Sequence, residues 1–287
     1  MTSRFAIDLK MPKIMGIVNV TPDSFTDGGQ YASTSAAIHH CERLIRDGAD
    51  ILDIGGESTR PGATPLSIDC ELSRVLPVLR EAVKMGVPVS VDTYKPQVMQ
   101  AALDLGVDII NDIWALRWRA DDPTLNALKS EEVIASHPAC GVCLMHMHRE
   151  PVSMQTMPME GEVSGQVLAF LKSVTSDLCA LGVNPLRMVV DPGIGFGKTV
   201  AQNFELLAKQ RDLLECGYPL VAGWSRKSSL AAVIGHPLAN HREFQSHPRM
   251  VASVSAAVLA IERGASVVRV HDVRETAQAL KVLQAIQ

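Results

Sequence analysis

The segment LGVDIIND, residues 105–112, contains in eight residues the unit that decides the fold. Gly106 follows a helical pattern, and a glycine there can adopt the left-handed conformation that closes a helix. The short apolar run after it predicts a strand over residues 108–111, of the kind buried on both faces of a parallel sheet. Asn111 and Asp112 stand where that strand ends. The segment therefore joins a helix to a buried parallel strand whose carboxyl end is polar.

The same unit recurs from one end of the chain to the other. Predicted strands cover residues 14–19, 51–55, 87–91, 108–111, 142–146, 188–190, 220–222 and 267–270. Predicted helices cover residues 35–47, 72–85, 97–105, 163–181, 249–263 and 276–286, and five of them are followed by a glycine: Gly48, Gly86, Gly106, Gly182 and Gly264. This alternation predicts an α/β fold, a (β/α)8 TIM barrel forming a single domain over residues 1–287, with its core starting at about residue 12. A doubly wound open sheet is the alternative, but the even spacing favours the barrel.

Composition excludes several classes of function. The 287 residues are 47% hydrophobic and carry a net charge of −4, which supplies a sizeable core and argues against general binding to nucleic acid or to an anionic membrane. We find neither a membrane-spanning run nor a secretory signal, so we expect a cytoplasmic protein with reduced thiols. The pair Cys140 and Cys143 lies within an apolar strand-like run, and we interpret both as buried structural cysteines.

Polar residues cluster at the carboxyl ends of the predicted strands, whereas the opposite joints carry glycines and aliphatic residues. In a TIM barrel the active site is built at the carboxyl ends, so this distribution predicts where the chemistry lies. The strand ends contribute Asn19, Glu57, Arg60, Asp92, Asn111, Asp112, His146, His148, Asp191, Arg226, Lys227, Arg269 and His271.

These strand ends also carry a resemblance to a known family. The stretches 15–25, 53–62, 90–93, 110–112, 144–147, 191–198, 225–228 and 269–273 are similar to the signatures of the dihydropteroate synthases and occur in the family's order. The resemblance implies a pterin pocket inside the barrel mouth. It assigns pterin contacts to Asp92, Asn111, Met145, Asp191, Gly195, Phe196, Lys227 and Arg269, of which Asp92, Lys227 and Arg269 are also the expected catalytic residues.

The resemblance assigns the rest of the site to the diphosphate group of the pterin substrate and to the second substrate, 4-aminobenzoate. The diphosphate would be bound by Asn19, Arg60, Arg269 and His271, with Mg²⁺ held mainly by diphosphate oxygens and by Asn19. The 4-aminobenzoate pocket would be formed by Phe25, Thr59, Arg60, Pro61, Lys227 and Ser228. The loops at residues 21–33 and 58–69, whose composition alone is that of surface loops, would order over the bound diphosphate.

The activity implied is the condensation of 6-hydroxymethyl-7,8-dihydropterin diphosphate with 4-aminobenzoate, in folate biosynthesis, with sulfonamides as competitors. No catalytic triad accompanies these motifs, so we expect a dissociative reaction in which diphosphate leaves before the amine attacks. Members of the family are homodimers packed through late helices. The segment 236–249 departs from the family pattern in that region, which puts the detail of the interface in doubt.

Competing functions remain. His146 and His148, two residues apart on a strand, resemble the metal pair of barrel hydrolases, although that pair usually follows the first strand. The run from Gly193 to Lys198 resembles a phosphate-binding P-loop, but Pro192 stands where its first glycine is required. A pterin-dependent methyltransferase and a non-catalytic pterin-binding paralogue are the remaining alternatives.

One insertion has no assigned role. The segment 114–139 is longer than the family needs, and Trp114 and Trp118 are spaced for one face of a helix, where packing is the simplest interpretation.

Overall fold

Eight parallel strands pair in the order of the sequence, and the last strand pairs with the first. The computed structural model describes residues 7–21, 29–59, 63–120, 122–151, 153–154, 156–235 and 248–286. The strands are β1 Lys13–Asn19, β2 Ile51–Gly55, β3 Val89–Asp92, β4 Ile109–Asp112, β5 Gly141–Met145, β6 Met188–Asp191, β7 Leu220–Ala222 and β8 Ala265–Val270. Because β1 pairs with β8, the sheet is a closed barrel. The (β/α)8 prediction is confirmed, and the open-sheet alternative is excluded.

Ten α-helices lie within the described part of the chain and cover the barrel. They are α1 Gly29–Asp47, α2 Ile68–Ala82, α3 Pro96–Asp104, α4 Ser130–Ser136, α5 Ser164–Ala180, α6 Val200–Ala208, α7 Gln210–Leu213, α8 Ser228–Val233, α9 Met250–Glu262 and α10 Val273–Gln284. All eight predicted strands and all six predicted helices are present. The sequence did not predict α4, α6, α7 or α8. None of the described helices is both long enough and apolar enough to cross a membrane.

The interior of the barrel shows how the strands place the site. Side chains alternate between the two faces of a strand, so residues two apart point the same way. Six inward-facing apolar side chains pack together inside the barrel: Met15, Ile51, Ile109, Cys143, Val221 and Val267. Two residues further along their strands come Asp53, Asn111, Met145 and Arg269. The apolar layer therefore closes the barrel below, and the layer above it, which carries the polar residues Asp53, Asn111 and Arg269, opens at the carboxyl ends of the strands.

The predicted glycine joints have the expected geometry. Gly48, Gly86, Gly106, Gly182 and Gly264 all have positive φ, between 81° and 107°. Each closes a helix before the next strand or its lead-in, which is the role that only glycine fills without strain.

The segment after β4 corrects one expectation. Trp114 lies in a turn and Trp118 in irregular structure, so the helical face that their spacing suggested is wrong. Their packing role is confirmed, since the Tyr94 ring lies 6.4 Å from the Trp114 ring and 5.2 Å from the Trp118 ring. The inserted residues beyond them form a 3-10 helix, Pro123–Ala127, and helix α4.

The cysteines agree with the prediction of reduced thiols. All six are free, and both Cys140 and Cys143 are buried. Burial raises the pKa of Cys140 to about 12 and that of Cys143 well above its ordinary value, so both are inert packing residues.

Candidate active site

Arg269 links three strands across the barrel mouth. Its Nε donates to Oδ2 of Asp53 on β2 at 2.6 Å, and its Nη2 donates to Oδ2 of Asp92 on β3 at 2.6 Å. Asn111 on β4 donates to the same Asp53 oxygen at 3.2 Å. Asp53 is fully buried, and its Oδ1 has no hydrogen-bond partner among the described residues. The sequence prediction placed Asp92, Asn111 and Arg269 here but missed Asp53, the carboxylate that connects them.

Burial shifts the pKa values of Asp92, Asp191 and Arg269. Burial raises the pKa of Asp92, and the nearby Arg269 guanidinium opposes that shift without cancelling it. Burial likewise raises the pKa of Asp191 on β6. For Arg269 burial acts to lower the pKa, but the attraction of Asp53 and Asp92 is stronger and the pKa is raised overall. Arg269 therefore stays charged, while Asp92 and Asp191 are poised to exchange a proton or to accept strong hydrogen bonds.

Asp191 is presented by a glycine-rich loop. Its Oδ1 accepts a hydrogen bond from the backbone N–H of Gly193 at 2.7 Å. Its Oδ2 faces Gly223 after β7, where an added Cβ would lie 3.8 Å away. One carboxylate oxygen of Asp191 therefore anchors the loop. The other oxygen faces the strand ends at Gly223, where there is no side chain to fill the space.

Lys198 anchors this loop through its buried side chain. Its buried ammonium group donates to the backbone oxygens of Gly193 at 2.9 Å and Phe196 at 3.1 Å, and it lies 2.9 Å from Nδ1 of His146. Burial, reinforced by the Lys198 charge, lowers the pKa of His146 to about 2, so the imidazole is neutral and its Nδ1 accepts the third hydrogen bond. His146 is therefore committed to the loop, and the described residues hold no group of three His, Cys, Asp or Glu that could bind a metal. The geometry gives no support to the hydrolase alternative.

Gly193→Ala should destabilise the protein through this loop. A Cβ at Gly193 would lie 1.8 Å from the His146 backbone oxygen, so the loop must move, and we expect an extra loss of about 1–3 kcal/mol for the overlap. Gly86→Ala is the matched control: Gly86 also has positive φ, and no described atom lies within 4 Å of its Cβ position, so only the backbone cost of about 1–2 kcal/mol applies. Urea unfolding of both variants measures the difference, and equal losses would contradict the overlap.

An apolar cluster lies on one side of the mouth. Six buried side chains form it: Tyr94, Ile113, Met145, Met147, Met154 and Phe196. Lys227 lies beside it, with Nζ 4.4 Å from the centre of the Phe196 ring. The Lys227 stem also covers Gly195, where an added Cβ would lie 3.4 Å from Lys227 Cδ. The structure thus brings the predicted residues Met145, Gly195, Phe196 and Lys227 together on one side of the mouth.

A strained turn presents Lys227. Arg226 precedes it with a φ of 60°, a conformation that costs a non-glycine residue about 1–3 kcal/mol. Its guanidinium binds Asp272 through both Nε and Nη2, and its backbone N–H donates to Ser253 Oγ at 2.9 Å. These contacts fix the conformation of the turn, and they therefore also fix the position of Lys227 at the start of α8.

The structure describes some, but not all, of the residues predicted to bind the diphosphate and the arylamine. Asn19 and His271 stand at the ends of β1 and β8, and Ser225 Oγ lies 3.0 Å from His271 Nδ1 and accepts the His271 backbone N–H at 3.1 Å. Thr59 lines a cleft of about 260 Å³ together with Tyr94, Trp114 and Trp118. Ser228 is exposed at the first position of α8. The predicted residues outside the described part of the chain are Phe25, Arg60 and Pro61.

Sequence comparison identifies relatives of this site and fold. A family model described as pterin binding enzyme matches residues 15–271. A dihydropteroate synthase of Neisseria meningitidis serogroup C is 46% identical over 286 residues, which cover 99% of this chain and 95% of the relative.

Two solved structures are also similar. A dihydropteroate synthase of Xanthomonas albilineans, solved with 4-aminobenzoic acid, has a TM-score of 0.85 at 43% identity and covers 98% of this chain and 95% of its own. The dihydropteroate synthase of Yersinia pestis, solved in a sulfonamide drug complex, has a TM-score of 0.87 at 37% identity and covers 100% of this chain and 98% of its own.

Proposed function

Because this chain belongs to the dihydropteroate synthases, a family of pterin-binding enzymes, we propose that it joins 6-hydroxymethyl-7,8-dihydropterin diphosphate to 4-aminobenzoate. The products would be 7,8-dihydropteroate and diphosphate, which makes the chain a transferase of folate biosynthesis. The observation that carries this proposal is the joint presence of a buried carboxylate, Asp191, and of an apolar cluster that includes Met145 and Phe196, with Lys227 beside the Phe196 ring.

The pterin fits the inner half of the site. Its amino-pyrimidinone edge presents adjacent N–H donors, and a buried carboxylate accepts such a pair through strong charge-assisted bonds. Asp191 takes that role, with Asn111 and Asp92 completing the polar contacts. Met145 and Phe196 pack against the ring faces, and Gly195 leaves the Lys227 stem room to reach the pterin.

The diphosphate fits the outer half, where Asn19, Arg269 and His271 provide donors, and Arg60 would add its guanidinium. The described residues contain no cage of carboxylates for a metal, and the neutral amide oxygen of Asn19 suits an ion that takes most of its ligands from substrate and water. Asn19 would hold Mg²⁺ in this way, and the bound ion would neutralise charge on the diphosphate. An isothermal titration with Mg²⁺ that shows no dependence of diphosphate binding on the metal would refute this assignment.

These residue assignments determine the proposed order of steps in the reaction. The bond between the exocyclic methylene carbon and the diphosphate oxygen breaks, and the leaving group departs with the electron pair, stabilised by Arg60, Arg269 and His271. The pterin ring delocalises the positive charge. The arylamine nitrogen, positioned by Phe25, Thr59, Arg60, Pro61, Lys227 and Ser228, forms the new C–N bond and loses its proton to water. Positional isotope exchange within the diphosphate, in the absence of 4-aminobenzoate, tests this order of steps.

Two further properties belong to the proposal. Sulfonamides, as arylamine analogues, would compete with 4-aminobenzoate in a cytoplasmic enzyme. The chain would form a homodimer through its late helices, because Val251 and Leu259 leave an apolar stripe exposed on α9, with Val233 exposed on α8 and Val282 on α10. Sedimentation of Val251→Glu, compared with Leu186→Glu near the opposite end of the barrel, would separate dimer from monomer.

The decisive measurement is diphosphate release from the pterin diphosphate and Mg²⁺, with and without 4-aminobenzoate. We expect release coupled to dihydropteroate formation, and a rate lower by about 100-fold or more in Lys227→Ala, because one positioned cationic donor is lost. Lys209→Ala, which removes an exposed lysine paired with Glu162 and Glu205, is the control and should leave the rate unchanged. Pterin binding without product would indicate a non-catalytic paralogue, and absence of pterin binding would refute the function.

A further inference from the structure

A buried carboxylate holds the turn that follows β4. Asp112, the last residue of that strand, is fully buried, and both of its oxygens accept backbone hydrogen bonds. Oδ1 accepts the N–H of Trp114 at 2.8 Å, and Oδ2 accepts the N–H of Leu116 at 2.7 Å. We call residues 112–116, closed by these two hydrogen bonds, the Asp112 turn. Neither the proposed pterin contacts nor the proposed diphosphate contacts include Asp112.

Two neighbouring residues of the Asp112 turn have a strained backbone. Ala115 has a φ of 49° and Leu116 a φ of 63°, a conformation that is unfavourable for any residue other than glycine. Burial adds a second cost, because it raises the pKa of Asp112 to about 7 although both backbone hydrogen bonds oppose that shift. Backbone strain persists only where the surrounding structure enforces it, and it is concentrated at functional sites. The turn therefore has a shape that its own residues disfavour and that the buried carboxylate enforces.

The Asp112 turn carries part of the apolar cluster at the barrel mouth. Side chains alternate along a strand, so Asn111 faces the barrel interior and Asp112 faces away from it. Ile113, the next residue, is buried and belongs to the cluster that contains Met145 and Phe196. The turn thus begins directly after one proposed pterin contact, and it presents a side chain to the cluster that contains two others.

We propose that Asp112 is a positioning residue for the pterin, fixing Asn111 and Ile113 where the pterin ring is bound. This inference rests on the proposed function, which places Asn111, Met145 and Phe196 at the pterin. Asp112 itself would contact no substrate atom, because it faces away from the barrel interior and both of its oxygens bind the turn. Loss of the carboxylate should therefore weaken binding of the pterin ring without removing a direct contact to it.

The test measures calorimetric binding of 6-hydroxymethyl-7,8-dihydropterin, which carries neither diphosphate nor arylamine and so reports on the pterin contacts alone. In Asp112→Asn the amide oxygen can accept one of the two N–H groups, but the amide nitrogen is a donor and leaves the other unpaired. We expect the Kd to rise by about tenfold or more, because a buried donor without an acceptor displaces the turn. Asp108→Asn is the matched control and should leave the Kd unchanged. Asp108 precedes the same strand, is buried, and accepts the N–H of Val89 at 3.0 Å.

The comparison of the two Kd values decides the proposal. An unchanged Kd in Asp112→Asn, or equal rises in both asparagine variants, would overturn it. If Asp112→Asn does not fold, Ala115→Val and Ala115→Gly test the same turn with the carboxylate in place. A β-branched residue does not tolerate a φ of 49°, whereas glycine adopts it without strain. Ala115→Val must then raise the Kd and Ala115→Gly must not.

Amide hydrogen exchange separates this proposal from the proposed function, because it needs neither substrate nor turnover. The amides of Trp114 and Leu116 should exchange slowly in wild type and in Asp108→Asn. At least one of them should exchange faster in Asp112→Asn, since the amide oxygen replaces only one of the two acceptors. A wild type that forms no dihydropteroate but shows this pattern would refute the synthase and preserve the Asp112 turn. Fast exchange of both amides in wild type would refute the turn itself.

Discussion

Arg269→Met should lower the free energy of unfolding by about 3–5 kcal/mol, the typical cost of leaving a buried ion pair without one partner. Here two carboxylates lose their cation at once, since Asp53 and Asp92 each lie 2.6 Å from the guanidinium. Turnover should also fall below detection, because the same side chain would stabilise the leaving diphosphate. Chemical denaturation monitored by circular dichroism measures the first effect.

The loss of stability should depend on pH in a definite direction. Without Arg269, the pKa of Asp92 in the folded protein should lie higher than in wild type, and an acid whose pKa is raised on folding binds protons more tightly in the folded state. Stability of the variant therefore rises as the pH falls, and the deficit relative to wild type should be smaller at pH 5 than at pH 8.

The control for this prediction is Arg274→Met on α10. Arg274 pairs with Asp47 at 3.0 Å but is 67% exposed, so its loss should cost at most about 1 kcal/mol. Similar losses in the two arginine variants, or a deficit at position 269 that grows at low pH, would show that Arg269 does not neutralise the buried carboxylates.

The fold could be predicted because its signals are local. Each strand is a short apolar run, and each glycine joint lies within a few residues of the helix it closes. Helices α4 and α8 were missed because seven and six residues are too few to show a helical period. Helix α6 had a usable signal that was overlooked, since Thr199 and Gln202 form a capping box at its start.

The site could be predicted only where a motif carries it. Asp92, Asp191, Lys227 and Arg269 stand at strand ends within recognisable stretches, and the structure brings them to one mouth. Asp53 lies inside an apolar run, and its role depends on a partner 216 residues away, which no local pattern encodes. The buried contacts of Lys95 with Glu57 and Glu71 were missed for the same reason, because Lys95 is 38 residues from Glu57 and 24 from Glu71.

The contacts of Lys198 differ from the phosphate-binding role that its sequence motif suggested. Its glycine-rich surroundings suggested a phosphate loop, yet its three donors are taken by two backbone oxygens and His146. Burial lowers its pKa to about 7, so the interior holds this lysine only because all three hydrogen bonds are made. Sequence spacing excluded the P-loop, but only the structure shows that the lysine supports the loop that binds Asp191.

Asp191→Asn should abolish pterin recognition while leaving the fold intact. The amide oxygen can still accept the Gly193 N–H, which now lies 2.7 Å from Oδ1, so the loop keeps its anchor. The amide nitrogen then replaces Oδ2 and directs donors at the donors of the pterin edge. Mismatched buried hydrogen bonds of this kind change affinity by a factor on the order of 10⁴. Stability should be unchanged or higher, because a buried charge has been removed.

The pH dependence of binding gives the same residue a second test. Only the ionised carboxylate accepts both hydrogen bonds, and burial raises the pKa of Asp191, so wild-type affinity for the pterin diphosphate should fall as the pH is lowered through that raised pKa. The Asp191→Asn variant should show weak binding with no such titration. Asp108→Asn is the matched control, because Asp108 is also buried and accepts a backbone N–H, from Val89 at 3.0 Å, at the amino-terminal end of the barrel. Calorimetric titration between pH 5 and pH 8 measures all three proteins, and wild-type affinity in Asp191→Asn would remove Asp191 from the recognition site.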